Sequence, residues 1–145
     1  MCFSFINKCQ GYSIKDSLDI CNLPILDTEI NSKKVSFIVD TGASTNFIDS
    51  SYYENNLKAS YKIEEDKVEI YAPNSCFTST QSVDLDFKVG NATYTSKFLF
   101  ADFTSQFNFL HEQYNLNRTV CGVLGNQFLQ DNNCIIDYKK KKIKL

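Results

Sequence analysis

The chain has 145 residues, 43% hydrophobic and 22% charged, with a formal net charge of −2, which suits one core and is too short for two comfortable domains. An acidic balance with a sequence pI near 5.3 gives nucleic acid little to hold. No apolar run approaches the roughly 18 residues that a membrane-spanning helix needs.

The opening stretch, MCFSFINKCQGYS, has an apolar patch broken by Asn7 and Lys8 and no basic region before it. Residues 1–22 therefore read as an N-terminal extension or an edge or interface strand, not as a secretion signal, and a cytoplasmic setting is expected. LPILDTEINSKKVSFIVD predicts two strands joined by a tight Asn-Ser-Lys turn. SSYYENNL predicts a short helical turn capped by Asp49 or Ser50. KVEIYA alternates, and in SVDLDFKV the residues Val83, Leu85, Phe87 and Val89 fall on one face. Gly90-Asn91 then turns the chain into TYTSKFLFAD as a hairpin.

Further on, SQFNFLHEQYNL places Phe107, Leu110 and Tyr114 at helical spacing, and NQFLQDN predicts another short helix after Gly125. The closing CIIDYKKKKIKL reads as a charged hairpin: one strand up, a lysine turn, a short strand back. Lysines on exposed edges also discourage stray strand pairing. Many short strands with frequent turn signals and few helices predict an all-β sandwich or barrel. The cysteines, Cys2, Cys9, Cys21, Cys76, Cys121 and Cys134, contain no C-x-x-C pair, and the single histidine, His111, has no cysteine near it. Zinc is not expected; mostly buried, reduced thiols are.

The stretch VSFIVDTGAST carries the chemistry. Val35, Phe37 and Val39 share one strand face and Ile38 supplies the other, so the strand is expected to be buried on both sides. It ends on Asp40, where a carboxylate is costly unless something uses or satisfies it. Thr41 adds a hydroxyl and Gly42 permits a tight turn. Asp-Thr-Gly alone is a weak pattern, and a turn closed by the aspartate side chain accounts for it equally well. Some eighty residues later stands GVLGNQFL: the apolar pair Val123-Leu124, then Gly125 opening an amphipathic stretch.

With both motifs in this order and at this separation, residues 23–145 resemble the retropepsin-like aspartic proteases, the single-domain relatives of pepsin that include the retroviral proteases. The resemblance implies an all-β, closed barrel with short helices, active as a homodimer. It implies that Asp40 is the catalytic carboxylate, that Thr41 reaches to the matching loop of a second copy, and that Gly42 and Ala43 lie against bound peptide. Val123 and Leu124 would line the pocket beside the site, and Gly125 would let a strand cross closely beneath the catalytic loop. A flap hairpin, EIYAPNSCFTST, would cover substrate with its tip near Pro73, Asn74 and Ser75.

Asp27, Asp49, Asp86 and Asp137 are not followed by Thr-Gly or Ser-Gly, so a second carboxylate must come from another molecule. The expected function is a homodimeric aspartic endopeptidase acting on extended polypeptide with apolar residues at the cut, needing no cofactor or metal. The alternative is a non-catalytic dimerisation or peptide-binding module of the same fold. Four features depart from the retroviral or pepsin pattern. Ala43 stands where pepsin-like enzymes carry a serine, which implies a less acidic optimum than pepsin's. The flap lacks glycines. Residues 104–119 are longer than the matching retroviral connection and suggest a helical insertion at the pocket edge or a partner contact. Asn126 replaces an arginine, and the acid it would pair with is missing too, because Ser44 and Thr45 follow Ala43.

Overall fold

The structure is a computed structural model that describes residues 10–72 and 75–145. Strand β1 (Gly11–Ser13) leads into helix α1 (Lys15–Cys21). Strands β2 (Ile25–Ile30) and β3 (Lys33–Val39) form the first hairpin. Its turn residues Asn31 and Ser32 both have positive φ, 52° and 64°, the backbone that matches the twist of paired strands. Strand β4 (Asn46–Asp49) runs into the single turn α2 (Ser50–Tyr52), which widens to a π turn over Tyr53–Leu57. Asp49 is the cap, accepting the Tyr52 N–H.

Strands β5 (Glu64–Ala72), β6 (Ser75–Val89) and β7 (Ala92–Ala101) follow as two successive hairpins. Then come α3 (Thr104–Tyr114), β8 (Val120–Leu124), α4 (Asn126–Asp131), β9 (Ile135–Asp137) and β10 (Lys142–Lys144).

The main sheet is ordered β2-β3-β8-β4-β7-β6-β5. Pairing of Glu29 with Lys88 joins β2 back to β6, so six strands close a barrel and β5 stays outside it on β6. Strand β6 has two partners along its length: Ser75 to Ser82 pair with β5, and Ser82 to Val89 with β7. Along its barrel half, Val83, Leu85, Phe87 and Val89 are all buried, the period-two pattern read from the sequence. They meet Phe37, Phe98 and Phe128 in an aromatic centre, with Phe87 5.5 Å from Phe37 and 5.4 Å from Phe128 between ring centroids.

A smaller antiparallel sheet, β1-β10-β9, packs beside the barrel. The lysine-rich end is therefore a hairpin whose turn spans residues 138–141. Helix α1 is tied to this turn through Asp19, which pairs with Lys15 and with Lys141. The Lys141 hydrogen bond, reinforced by that of Lys15, holds the exposed Asp19 carboxyl down at about 2. Its native value lies below its ordinary 3.8, so its contribution to stability is present above that value and is lost as pH falls through about 2. The gain is that of a surface pair and therefore small. Thermal midpoints of the wild type and Asp19→Asn should differ slightly at neutral pH and converge as the solution is acidified through this interval.

Candidate active site at the end of strand β3

Strand β3 lies parallel to β8, with Val39 opposite Leu124. The Asp40 N–H donates to the Leu124 carbonyl at 3.0 Å, the last rung before the loop begins. The loop then closes on itself: the Gly42 N–H donates to Asp40 Oδ1 at 2.8 Å and the Ala43 N–H to the Asp40 carbonyl at 3.2 Å. Asp40, Thr41 and Gly42 are exposed and Ala43 is half-buried. The aspartate-closed turn and the outward-facing carboxylate are thus both present.

The loop is pinned from below by the start of α4. The Asn126 N–H donates to the Ala43 carbonyl (2.8 Å) and the Gln127 N–H to the Ser44 carbonyl (3.1 Å), so the loop satisfies backbone donors that a helix start leaves open. The Asn126 side chain donates to the Thr41 carbonyl at 2.6 Å. An amide–carbonyl contact within one protomer therefore occupies the place where the resemblance implies an ion pair.

Gly125 sits directly under the crossing. A Cβ there would lie 2.2 Å from the Thr45 carbonyl oxygen and 2.8 Å from that of Ala43, closer than any side chain tolerates. Its N–H donates to Asn46 Oδ1 at 2.9 Å, and the buried Asn46 amide spends its own donors on Ser96 Oγ (2.8 Å) and the Lys97 carbonyl (3.1 Å). Asn46 was not singled out from the sequence; nothing in the string NFID separates a buried, fully bonded asparagine from a turn residue.

Beside Asp40 opens a pocket of about 580 Å³. Ile38 and Val123 form its floor, and Phe103, Phe107, Phe109 and Leu110, at and within α3, form its wall. Leu124 does not take part. Neighbours on a strand point to opposite faces, so with Val123 on the pocket Leu124 turns into the core, where it is fully buried. The expectation that both line the pocket is corrected to Val123 alone. Pro73 and Asn74 lie outside the described residues; Ser75 pairs with Ala72 as the first rung of the β5–β6 hairpin.

The long connection over 104–119 is helical over most of its length. Phe107 is buried and Leu110 half-buried, while Tyr114 remains 38% exposed. Phe103 N–H donates to the buried Asp49 Oδ1 at 2.9 Å, so Asp49 caps α2 and fixes the start of α3 with its two oxygens. The His111 ring nitrogens lie 2.7 and 2.6 Å from the carbonyls of Phe107 and Arg118, which ties the end of α3 to the connection that follows it.

A family model described as aspartyl protease matches residues 26–128. The fold is similar to the crystal structure of the retroviral protease-like domain of Ddi1 from Leishmania major, with a TM-score of 0.52 and 13% identity over 79% of this chain and 81% of that one. It is also similar to EIAV protease complexed with the inhibitor HBY-793, with a TM-score of 0.53 and 20% identity over 78% of this chain and 90% of that one. At such identities the likeness is one of fold: a closed, retropepsin-like barrel with a few short helices. No curated protein matches the sequence.

Proposed function

The chain belongs to the aspartyl protease family, and on that premise we propose that it hydrolyses peptide bonds as a homodimer in which the two Asp40 carboxylates face each other. The observation that carries this reading is an exposed carboxylate on a loop held by six backbone and amide hydrogen bonds, at the edge of an apolar pocket. A tightly held loop presents its acid in one place, which is what positioned acid–base chemistry requires.

One carboxylate is not enough. Hydrolysis needs a base for the attacking water and an acid for the carbonyl oxygen at the same moment. Two carboxyl groups in contact hold one proton between them, because like charges that close do not both ionise, and they titrate as a unit. The ionised member takes a proton from water as its oxygen bonds to the carbonyl carbon, and the protonated member gives its proton to the carbonyl oxygen. The tetrahedral diol then collapses: the C–N bond breaks, the nitrogen receives a proton from the pair, and a hydroxyl returns one. The products are an acid and an amine, and the pair again holds one proton.

In this assembly Thr41 of each protomer contacts the partner loop, and Gly42 and Ala43 lie against the substrate backbone. The β5–β6 hairpin serves as the flap, and the substrate is held as an added strand. The face for a second copy is supported by β9. Among the described residues it pairs only with β10, Ile135 at its start and Tyr138 just after it are 53% and 59% exposed, and Ile136 shares a hollow with Thr41. Apolar side chains on an open strand edge next to the catalytic loop suit a twofold contact. Digestion of an unfolded polypeptide should show specific activity rising with protein concentration, in step with the dimer fraction from sedimentation. A chain that is monomeric by sedimentation and fully active would overturn this reading.

A further inference from the structure

Strand β10 is the middle of the small sheet β1-β10-β9, so its lysines, Lys142 and Lys144, have no open edge to guard. Ile143 between them is buried in the barrel core, which turns both lysines to the outer face of the sheet. There they stand opposite Ser13 and Gly11 on one side and Asp137 and Ile135 on the other. Gly11 leaves room for the Lys142 stem: a Cβ there would come within 3.2 Å of Lys142 Cδ. The adjoining turn is fixed. The Lys140 N–H donates to Asp137 Oδ1 at 2.9 Å, and the Ile14 N–H donates to the Lys141 carbonyl at 2.9 Å. The Lys141 ammonium sits on Asp19, and that of Lys144 lies 4.0 Å from Asp137 Oδ2. These contacts use the acids at hand. Lys139, Lys140 and Lys142 are exposed and have no acidic partner among the described residues. The five lysines of residues 139–144 sit on a chain of formal net charge −2, so everything outside them carries −7.

We propose that the outer face of this sheet docks an acidic stretch of polypeptide. The stretch lies along β10 with carboxylates on Lys139, Lys140 and Lys142 and an apolar side chain on Ile135, which is 53% exposed on the same face. Charge complementarity selects the partner: ammonium groups held in place on a clamped hairpin, with no acid of their own, attract an anion and fix its register. The size of the patch selects a chain over a broader polyanion. Strand β10 has three residues and is about 10 Å long, which a few extended residues cover. A lipid plane or a nucleic-acid duplex reaches past the lysines onto a protein of the same sign of charge as itself. The exposed isoleucine among the lysines also suits a peptide that mixes acidic and apolar residues. The docking site needs no chemistry at Asp40 and stands apart from the proposed hydrolysis. It also leaves room for the proposed contact between copies, because pairing at the β9 edge uses backbone groups and keeps the face of the sheet open.

The test is fluorescence anisotropy on the Asp40→Asn protein, so that nothing is cut, with a short labelled peptide of alternating glutamate and leucine and an uncharged serine–leucine counterpart. A short oligonucleotide and vesicles of phosphatidylserine in phosphatidylcholine are compared as the other anionic probes. The glutamate peptide should bind, more weakly as salt rises, and the serine peptide should not. Reversing the patch with Lys139→Glu, Lys140→Glu and Lys142→Glu together should weaken binding by about tenfold or more. Should that variant lose its unfolding transition, the matching glutamine set decides, with a smaller loss in the same direction. Reversing Lys33, Lys34 and Lys62, exposed lysines outside the patch, changes the net charge equally and should alter binding by less than about twofold. Equal losses in the two sets, no measurable binding of the glutamate peptide, or tighter binding of the vesicles or the oligonucleotide than of that peptide overturns the proposal.

Discussion

Replacing Asp40 with asparagine is expected to lower peptide hydrolysis by about 10²–10⁴-fold while leaving the fold intact. The two halves of this expectation have different grounds. Structurally, the Asp40 side chain is exposed and accepts one local hydrogen bond, from the Gly42 N–H to Oδ1; asparagine keeps an oxygen there. The strand-end rung to Leu124 and the turn to Ala43 use backbone atoms that the substitution does not alter. Chemically, an amide neither takes a proton from water nor gives one to a carbonyl oxygen near neutral pH. The variant should also act on its partner. When the two proteins are mixed and allowed to exchange protomers, activity should fall with the square of the wild-type fraction, since a mixed dimer holds one carboxylate. A linear fall would mean that each protomer works alone. Retained peptide binding with silence from both wild type and variant would identify a binding module.

Gly125→Ala should damage stability and activity together. The added carbon would meet the Thr45 carbonyl oxygen at 2.2 Å, its carbon at 2.7 Å and the Ala43 carbonyl oxygen at 2.8 Å. These are backbone atoms of the catalytic loop, and the loop cannot retreat without breaking the bonds from Asn126 and Gln127. The Gly125 N–H would also be pulled from the buried Asn46, leaving polar atoms unpaired away from water. Overpacking at this point should cost about 3 kcal/mol or more, read as a lower urea midpoint. Gly42→Ala is the internal comparison. Its added carbon meets no backbone, the nearest atom being Asp40 Oδ1 at 3.1 Å, so stability should stay within about 1 kcal/mol of wild type. Equal midpoints for Gly125→Ala and the wild type would show that the crossing is looser than the structure has it.

Much of the barrel was legible in the sequence because its strands obey local rules. Alternation at Val83, Leu85, Phe87 and Val89, with Gly90-Asn91 after it, defines a hairpin without reference to anything distant. Asn31 and Ser32 do the same for β2–β3. What stayed hidden depends on distant partners. Strand β4 has only four residues, and its ends, Asn46 and Asp49, are polar side chains buried by bonds to residues some fifty to eighty positions away. Helix α1 is two turns long, and one of its buried residues is Ser17, which donates to the Ile14 carbonyl and accepts the Ile25 N–H; a short segment with a hydroxyl on its inner face has no apolar period to read. The helix over Thr104–Tyr114 was legible from its spacing, but the spacing did not say how far its apolar positions are covered. Tyr114 follows Phe107 and Leu110 at that spacing and remains 38% exposed. Asp40 was conspicuous because a carboxylate ending an apolar strand violates the local pattern, whereas Asn46, which supports it, violates nothing.

The division of labour along β6 has a mechanical consequence. Its second half is a stave of the closed barrel, and its first half runs on, without interruption, as one arm of a ribbon only two strands wide. A narrow ribbon bends far more readily than a closed cylinder, so the fulcrum of any swing falls at the changeover, Ser82. There the residue is wholly enclosed, so the rim end of the arm is packed in place while the rest of the ribbon extends beyond the barrel. Leverage applied at the far end of the arm is thus delivered to one point on the barrel rim, while the loop that carries Asp40 is clamped elsewhere and does not ride with it.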